Sequence, residues 1–473
     1  MAKKAQNRKK SVLIVGSGPA GLAAGLELTK NGFDVTIIER ENQVGGISKT
    51  ILKNGNRFDV GGHRFFTKSK EVNKLWEEVL GKDFRETNRL SRIYYNNKFF
   101  AYPIEIADTL KKLGFFTSLA CLLSFIRYQL FPIKPQRSFA DWTTNRFGYK
   151  LFEMFFKSYT EKVWGISTND LSADWAAQRI KGLSLFEAIK TALFKTKKRP
   201  KSLIDKFKYP KHGPGMMYEK FAQNIEKRGG KIVFNVEIAE LTREKNKIVN
   251  VVGIDGMGKR VKYSADYYIS TMPLPDTVRF LSPTFHGVAD IEKKLKFRDF
   301  LSVNLVVNCR DIFPDAWIYV HDPSVDLGRI QNFKNWSHDM AASAKITPLG
   351  CEYFCSREDA LWRKSDKDLI ALASHEMEQI GLIKKSDVLE GNVYRMTDAY
   401  PIYNGDYQKY IEKSRLIIDE ISNLHVAGRG GMFRYNNMDH SILSGLYVAR
   451  NIMGKNLDVW GINADEEYHE TEK

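Results

Sequence analysis

Cysteine is scarce in this sequence: Cys121, Cys309, Cys351 and Cys355 are the four in 473 residues. They are too few and too scattered for a disulfide framework, and a reducing, cytoplasmic setting suits them. Cys351 and Cys355 stand four apart, but no second ligand pair or His cluster accompanies them, so no metal site is expected. Acidic side chains are outnumbered, 56 against 73 Lys and Arg, for a formal charge of +17. That excess favours contact with something anionic: a phosphate-bearing substrate, nucleic acid or an acidic membrane surface. The basic residues are spread along the chain without a recognised nucleic-acid motif, so a nucleic-acid partner is not expected. Long apolar runs are also rare. Leu113 to Phe131 alone calls for a membrane test; it follows Lys111 and Lys112 and carries Arg127 and Gln129 near its far end. A spanning helix needs about 20 clean apolar residues, and this interrupted segment is borderline, so a span is the least favoured of three readings. It reads first as a buried or partly buried helix, with a helix lying on the inner face of a bilayer as the alternative. Met1 to Lys10 is polar and basic with no apolar core, unlike a secretory signal.

What is present is a dinucleotide signature. Ser11 to Val15 is a β-branched apolar run, read as a buried parallel strand. Gly16-Ser17-Gly18-Pro19-Ala20-Gly21 follows at once, then a helix from Leu22 to Lys30, a break at Gly32, a strand from Val35 to Ile38, and Glu39 at its end. Strand, glycine turn, helix, strand and acid is the order a Rossmann-like fold requires. Gly16 permits the tight turn, Gly18 lets backbone approach a pyrophosphate, and Gly21 lets helix and strand pack closely. The helix N-terminus around Ala20 offers free N–H groups to phosphate, and Glu39 is placed to accept from ribose hydroxyls.

The remainder reads as inserts into that fold. The reading is α/β: a Rossmann-like dinucleotide domain, discontinuous in sequence, with a helical insert and an α+β substrate domain. Its parts are 10–71, 205–273 and 395–460; a mainly helical insert covers 72–204, the substrate domain 274–394, and a tail 461–473. Met217 to Lys227 is expected as a helix, with strands at Lys231 to Phe234 and Val236 to Thr242, then a meander to Tyr263 and a core strand at Tyr267 to Thr271. Lys195 to Lys211 is a dense basic run, either a solvated loop or a mobile loop near a phosphate-bearing substrate.

Beyond the first turn, Arg40 and Gly45-Gly46 resemble the extension found in the large flavoprotein group of amine oxidases, phytoene desaturases and sugar-nucleotide mutases. A second glycine segment, Leu424-His425-Val426-Ala427-Gly428-Arg429-Gly430-Gly431, leads towards a helix at Ser441 to Asn451, as in flavoproteins of that group. Two matching segments at opposite ends imply FAD rather than NAD. Six further segments narrow the resemblance to UDP-galactopyranose mutases, especially the eukaryotic type, over nearly the whole chain. They are Phe58 to His63, Ser91 to Pro103, Lys162 to Gly165, Trp175 to Arg179, Ala399 to Pro401 and Arg434 to His440.

The resemblance implies a reaction in which reduced flavin attacks the anomeric carbon of a sugar through N5, and the sugar changes ring form before its diphosphate returns. NAD(P)H is a candidate reductant. Charge developing on the diphosphate needs fixed cations and hydroxyls. By resemblance Arg179 and Arg329 are a bidentate clamp, with Tyr400 and Tyr435 as phenolic donors and His63 beside the flavin. Tyr102, Glu105, Thr160 and Trp164 would line the substrate space. Gly61, Gly62, Gly428, Arg429, Asn437, Met438 and Asp439 would meet the flavin, the last three through backbone N–H groups. Three departures matter. Glu105 and Thr160 replace amides, and the turn after Tyr435 is shorter. An acid facing uracil would be repulsive, which leaves the base open and keeps any glycosyl diphosphate in play as partner. The alternative reading is an FAD-dependent oxidoreductase, of amine oxidase or protoporphyrinogen oxidase type, acting on a hydrophobic substrate.

Overall fold

A computed structural model describes residues 9–173 and 206–463. The core is a five-stranded parallel sheet in the order Leu424–Val426, Tyr267–Ser270, Ser11–Val15, Asp34–Ile38, Lys231–Val233. Strands from three separate stretches of chain pair side by side, so the sheet is discontinuous in sequence. Val12, Ile14, Val35 and Ile37 are buried on one face, Leu13, Val15 and Ile38 on the other, as expected of a parallel sheet covered on both sides.

The helix Pro19–Lys30 is a run of small residues on the buried side: Ala20, Ala23, Ala24 and Gly25. Small side chains let the last helix, Met438–Ile452, come close. A Cβ on its Gly445 would lie 2.1 Å from the Ala20 carbonyl oxygen. The helix Gly215–Lys227 packs on the other flank through Met217, Tyr218, Phe221 and Ile225. Beside the core sheet, Val236–Glu244, Lys247–Asp255 and Arg260–Tyr263 form the antiparallel meander.

The second sheet has seven strands in the order Val388–Pro401, Phe297–Val307, Thr347–Cys355, Arg329–Asn332, Trp317–Val320, Ser91–Tyr95, Lys98–Ala101. Its last two strands come from the predominantly helical stretch. They join through a parallel pairing of Ser91–Tyr95 with Trp317–Val320. Thr347–Cys355 is buried along its whole length, which places Cys351 and Cys355 in packed interior. The strands Trp317–Val320 and Arg329–Asn332 alternate: Ile318, Val320 and Ile330 enter the core, while Trp317, Tyr319, Arg329 and Gln331 face the cavity described below.

Ile106–Leu113 and Ser158–Trp164 touch this sheet, Phe115–Leu130 packs on Ile106–Leu113, Phe139–Phe147 and Tyr149–Phe152, and Glu153–Lys157 is a π-helical turn. Of the readings open for Leu113 to Phe131, full burial fails and partial burial holds: Cys121 and Phe125 are buried, but most of its apolar side chains are exposed. Among the described residues no helix is long and apolar enough to cross a membrane. Trp175 to Arg179 and the basic cluster Lys197 to Lys201 lie outside the described residues.

Candidate active site

The two sheets enclose one cavity of about 880 Å³, near the upper end of the ~300–1,000 Å³ of small-molecule pockets. One end is the glycine turn. Gly16 has φ +97°, and a Cβ there would meet Thr271 Oγ1 at 2.2 Å; a Cβ on Gly21 would lie 2.0 Å from the Gly16 carbonyl oxygen. No side chain fits at either position. Around Gly18, by contrast, an added Cβ would meet nothing within 4 Å, and the residue faces the cavity with Gly16 and Ala20. That cradle suits a ligand laid directly on backbone. Glu39 is held ready on the same wall, its carboxylate accepting from Ser17 N at 2.8 Å, Ser17 Oγ at 2.7 Å and Glu41 N at 3.0 Å. Arg40 lines the cavity and donates to Thr397 Oγ1 at 2.9 Å.

The distant C-terminal segment closes this end. Gly428 follows the strand Leu424–Val426, and Asn437, Met438 and Ser441 bring the N-terminus of the last helix to the cavity. Arg429 braces the turn, its Nε donating to the Asn436 carbonyl at 2.9 Å and Nη1 to the Ala399 carbonyl at 3.1 Å. One expected donor is spent internally. The Asn437 N–H bonds His440 Nδ1 at 3.3 Å in a capping box, so it is not available to a ligand carbonyl.

Gly61, Gly62 and His63 form the middle wall. A Cβ on Gly62 would lie 2.6 Å from Gln331 Nε2, so a side chain there would displace the Gln331 amide. His63 is half-buried, and its Nδ1 lies 3.1 Å from the Gly61 carbonyl oxygen. A carbonyl can only accept, so Nδ1 carries the hydrogen and Nε2 is left as an acceptor. Loss of hydration, with Arg429 and Arg329 nearby, pushes the His63 pKa down to about 3. The ring is therefore neutral at physiological pH.

At the far end Arg329 sits directly across an antiparallel register from Glu352. Its Nε donates to Glu352 Oε2 at 2.8 Å, and Nη2 donates to the same oxygen. Glu352 is fully buried and also accepts from Gln331 Nε2 at 2.8 Å. Glu352 takes the Nε side of the Arg329 fork, which leaves the Nη1–Nη2 edge of the guanidinium for a ligand. Burial disfavours its charge, but Glu352 more than offsets this, and the Arg329 pKa stays well above its ordinary value.

Tyr400 and Tyr435 stack with ring centroids 5.6 Å apart, and the Arg429 guanidinium lies over both, 4.6 Å from the Tyr435 ring and 5.6 Å from that of Tyr400. Desolvation raises the Tyr400 pKa above its ordinary value, so it remains a hydroxyl donor. Trp164 packs edge-on to Tyr400 at 6.3 Å, and Thr160 lies one turn earlier on the same helix, both at the cavity wall.

Tyr102 lines the cavity, but Glu105 does not. It precedes the helix Ile106–Leu113 at an exposed position without a side-chain bond to the helix, so the expected acid facing a base is corrected. Gly21, Gly45 and Asp439 support the wall from behind rather than lining it, and Arg179 lies outside the described residues. Sequence reasoning passed over Glu352, Tyr159, Trp317, Tyr319 and His321. The last three were visible as an alternating aromatic strand: Tyr319 packs on Tyr102 at 4.8 Å and Tyr159 stacks on His321 at 4.5 Å. Desolvation and Lys162 push His321 down to about 3 as well.

A parallel sheet with this glycine turn, an oriented acid and a second helix N-terminus at one cavity defines a dinucleotide-binding protein with room for a second ligand. The chain belongs to the flavin-containing amine oxidoreductase family, whose model matches residues 19–453. FAD is its cofactor, and the backbone cradle at Gly18, Glu39 and the last helix fit it. The fold is shared with a reduced UDP-galactopyranose mutase structure, at TM-score 0.83 and 20% identity over 97% of this chain and 98% of that one. A Klebsiella pneumoniae protein described as "probable UDP-galactopyranose mutase" is 28% identical over 35% of this chain and 43% of its own. A 4,4'-diapophytoene desaturase of Methylomonas is 36% identical over 18% of this chain and 17% of its own. The chain thus spans less than half the length of these two curated relatives.

Proposed function

We propose that this chain is a mutase-type flavoenzyme that interconverts ring forms of a sugar carried on a diphosphate, a sugar nucleotide or related glycosyl diphosphate, without net redox change. Bound in its reduced state, FAD would supply the nucleophile, N5, to the anomeric carbon. The observation that carries the reading is the group of Arg329, Arg429, Tyr400 and Tyr435 on the cavity that also holds the glycine turn. Two cations and two phenols suit a departing diphosphate, and a hydrocarbon substrate would have no use for them.

In this reading Glu352 keeps Arg329 aimed, and Tyr400 donates a hydrogen bond to a phosphate oxygen. Neutral His63 accepts a hydrogen bond at Nε2. Tyr102 and Trp164 wall the sugar and its carrier. The test is an assay of the dithionite-reduced chain with UDP-galactofuranose and other nucleotide sugars. Turnover only in the reduced state, with no net consumption of reductant, is expected.

A second reading, an oxidoreductase acting on a hydrophobic substrate, draws on the aromatic wall of Tyr102, Tyr159, Trp317 and Tyr319 and on the local likeness to a desaturase. Flavin reduction by such a substrate, with release of an oxidised product, would establish it and end the mutase reading.

A further inference from the structure

The helix Phe115–Leu130 has a face that none of the described residues covers. Nine of the exposed large apolar side chains among the described residues fall between Leu110 and Phe131. Phe115 is 74%, Phe116 84%, Leu130 67% and Phe131 66% exposed. With Leu119, Leu122, Leu123 and Ile126 they repeat at helical spacing, forming one stripe along sixteen residues, or about 24 Å. Scattered exposed leucines need no explanation; a contiguous stripe of this kind does.

The opposite face is firmly seated. Cys121 and Phe125 are buried, Gln129 Nε2 donates to the Asn145 carbonyl at 2.7 Å, and Lys150 N donates to Ser124 Oγ at 3.2 Å. Gly148 admits the close approach, since a Cβ there would lie 2.6 Å from Phe125 N. The outward stripe is thus a rigid surface of the fold.

Cations predominate around it, although Lys112 is paired to Asp108 at 2.6 Å. Lys111 and Lys112 precede the helix, Arg127 lies within its last turn, and Lys134 and Arg137 follow; no Asp or Glu occurs from residue 109 to residue 140. The Arg127 guanidinium lies over the rings of Tyr128 and Phe131 at 5.7 and 5.3 Å. An apolar stripe bordered at both ends by cations matches the acyl and headgroup layers of an anionic bilayer, in that order.

We propose that this helix is a membrane-docking element that lies in the plane of an anionic lipid surface, with Phe115, Phe116, Leu123 and Phe131 inserted and the lysines and arginines at the headgroups. The element sits next to the substrate space, because Tyr102 and Ile104, on the cavity wall, lead directly into the helix pair. The proposal does not depend on which reaction the cavity performs.

The test is co-sedimentation of the flavin-loaded full chain with vesicles of phosphatidylcholine alone or mixed with phosphatidylglycerol. Binding to the mixed vesicles is expected, weaker by at least about tenfold on neutral vesicles or in high salt. The variant Phe115→Ser/Phe116→Ser/Leu123→Ser/Phe131→Ser replaces only exposed side chains. It should keep its flavin absorbance and lose vesicle binding by at least about tenfold. Lys111→Glu/Lys134→Glu should lose binding to the mixed vesicles specifically. A chain that stays in the supernatant with both vesicles overturns the proposal, as does a serine variant that binds like the parent. A dimer in sedimentation velocity that the serine variant dissolves, without vesicle binding, overturns it in favour of a self-interface.

Discussion

The two ends of the cavity hold their ligands by opposite means. At the glycine turn recognition is left to backbone: side chains are excluded from Gly16 and Gly21 by contacts of 2.2 and 2.0 Å, and the surface is made of N–H groups and a helix end. At the far end recognition is left to side chains, each held by another: Arg329 by Glu352, Glu352 by Gln331, the two tyrosines by Arg429. Backbone recognition tolerates no added atom but needs no partner network. Side-chain recognition has space to vary, and fails when an anchor is lost.

That contrast predicts where substitution is absolute and where it is graded. Gly21→Val should be the most damaging change, because a Cβ there would strike backbone rather than a side chain that can rotate. A cost of about 4 kcal/mol or more is expected, with flavin lost from the purified chain, read from absorbance and thermal unfolding. Glu352→Gln should act differently. It leaves Arg329 a buried charge without its counter-ion, costing about 3 kcal/mol of stability, and frees its fork to rotate. Turnover by the reduced enzyme should fall about 10²-fold while flavin is retained. Loss of flavin in this variant would erase the distinction between the two ends. Tyr400→Phe removes one donor without disturbing packing. A hydrogen bond to a charged oxygen contributes about 1.5–3 kcal/mol, so kcat should fall roughly 10- to 100-fold with stability nearly unchanged.

The same contrast explains what could be read in advance. The dinucleotide turn is contiguous, and each glycine is dictated by geometry within a single strand–turn–helix unit, so spacing alone identifies it. Glu352 could not be found that way. In sequence it is one acid in the apolar run Thr347–Cys355, and its meaning arises only when antiparallel register sets it opposite Arg329. Trp317, Tyr319 and His321 fall between, since their alternation marks a face but does not say what the face meets. Glu105 was matched to a substrate contact by position, whereas at the start of Ile106–Leu113 it is exposed to solvent. Leu113 to Phe131 holds the helix expected of it, but apolar content cannot tell a core face from one left exposed.

The smallest expected effect concerns His63, which stands where the two ends meet. Its pKa falls from an ordinary 6.5 to about 3 on folding, through lost hydration and the proximity of Arg429 and Arg329. Between those values the unfolded chain binds a proton at this residue and the folded chain does not, so the folded state loses stability as pH falls from 6.5 towards 3. Above 6.5 both states are neutral and the residue contributes no slope. His63→Gln cannot titrate, so its urea midpoint should decline less steeply than that of the parent between pH 7 and pH 5. His321, also pushed to about 3, remains in both chains and cancels in the difference. If the two slopes coincide, His63 is not desolvated beside its arginines. Its neutral Nε2 acceptor, which the proposed chemistry assigns to the middle of the cavity, would then be lost.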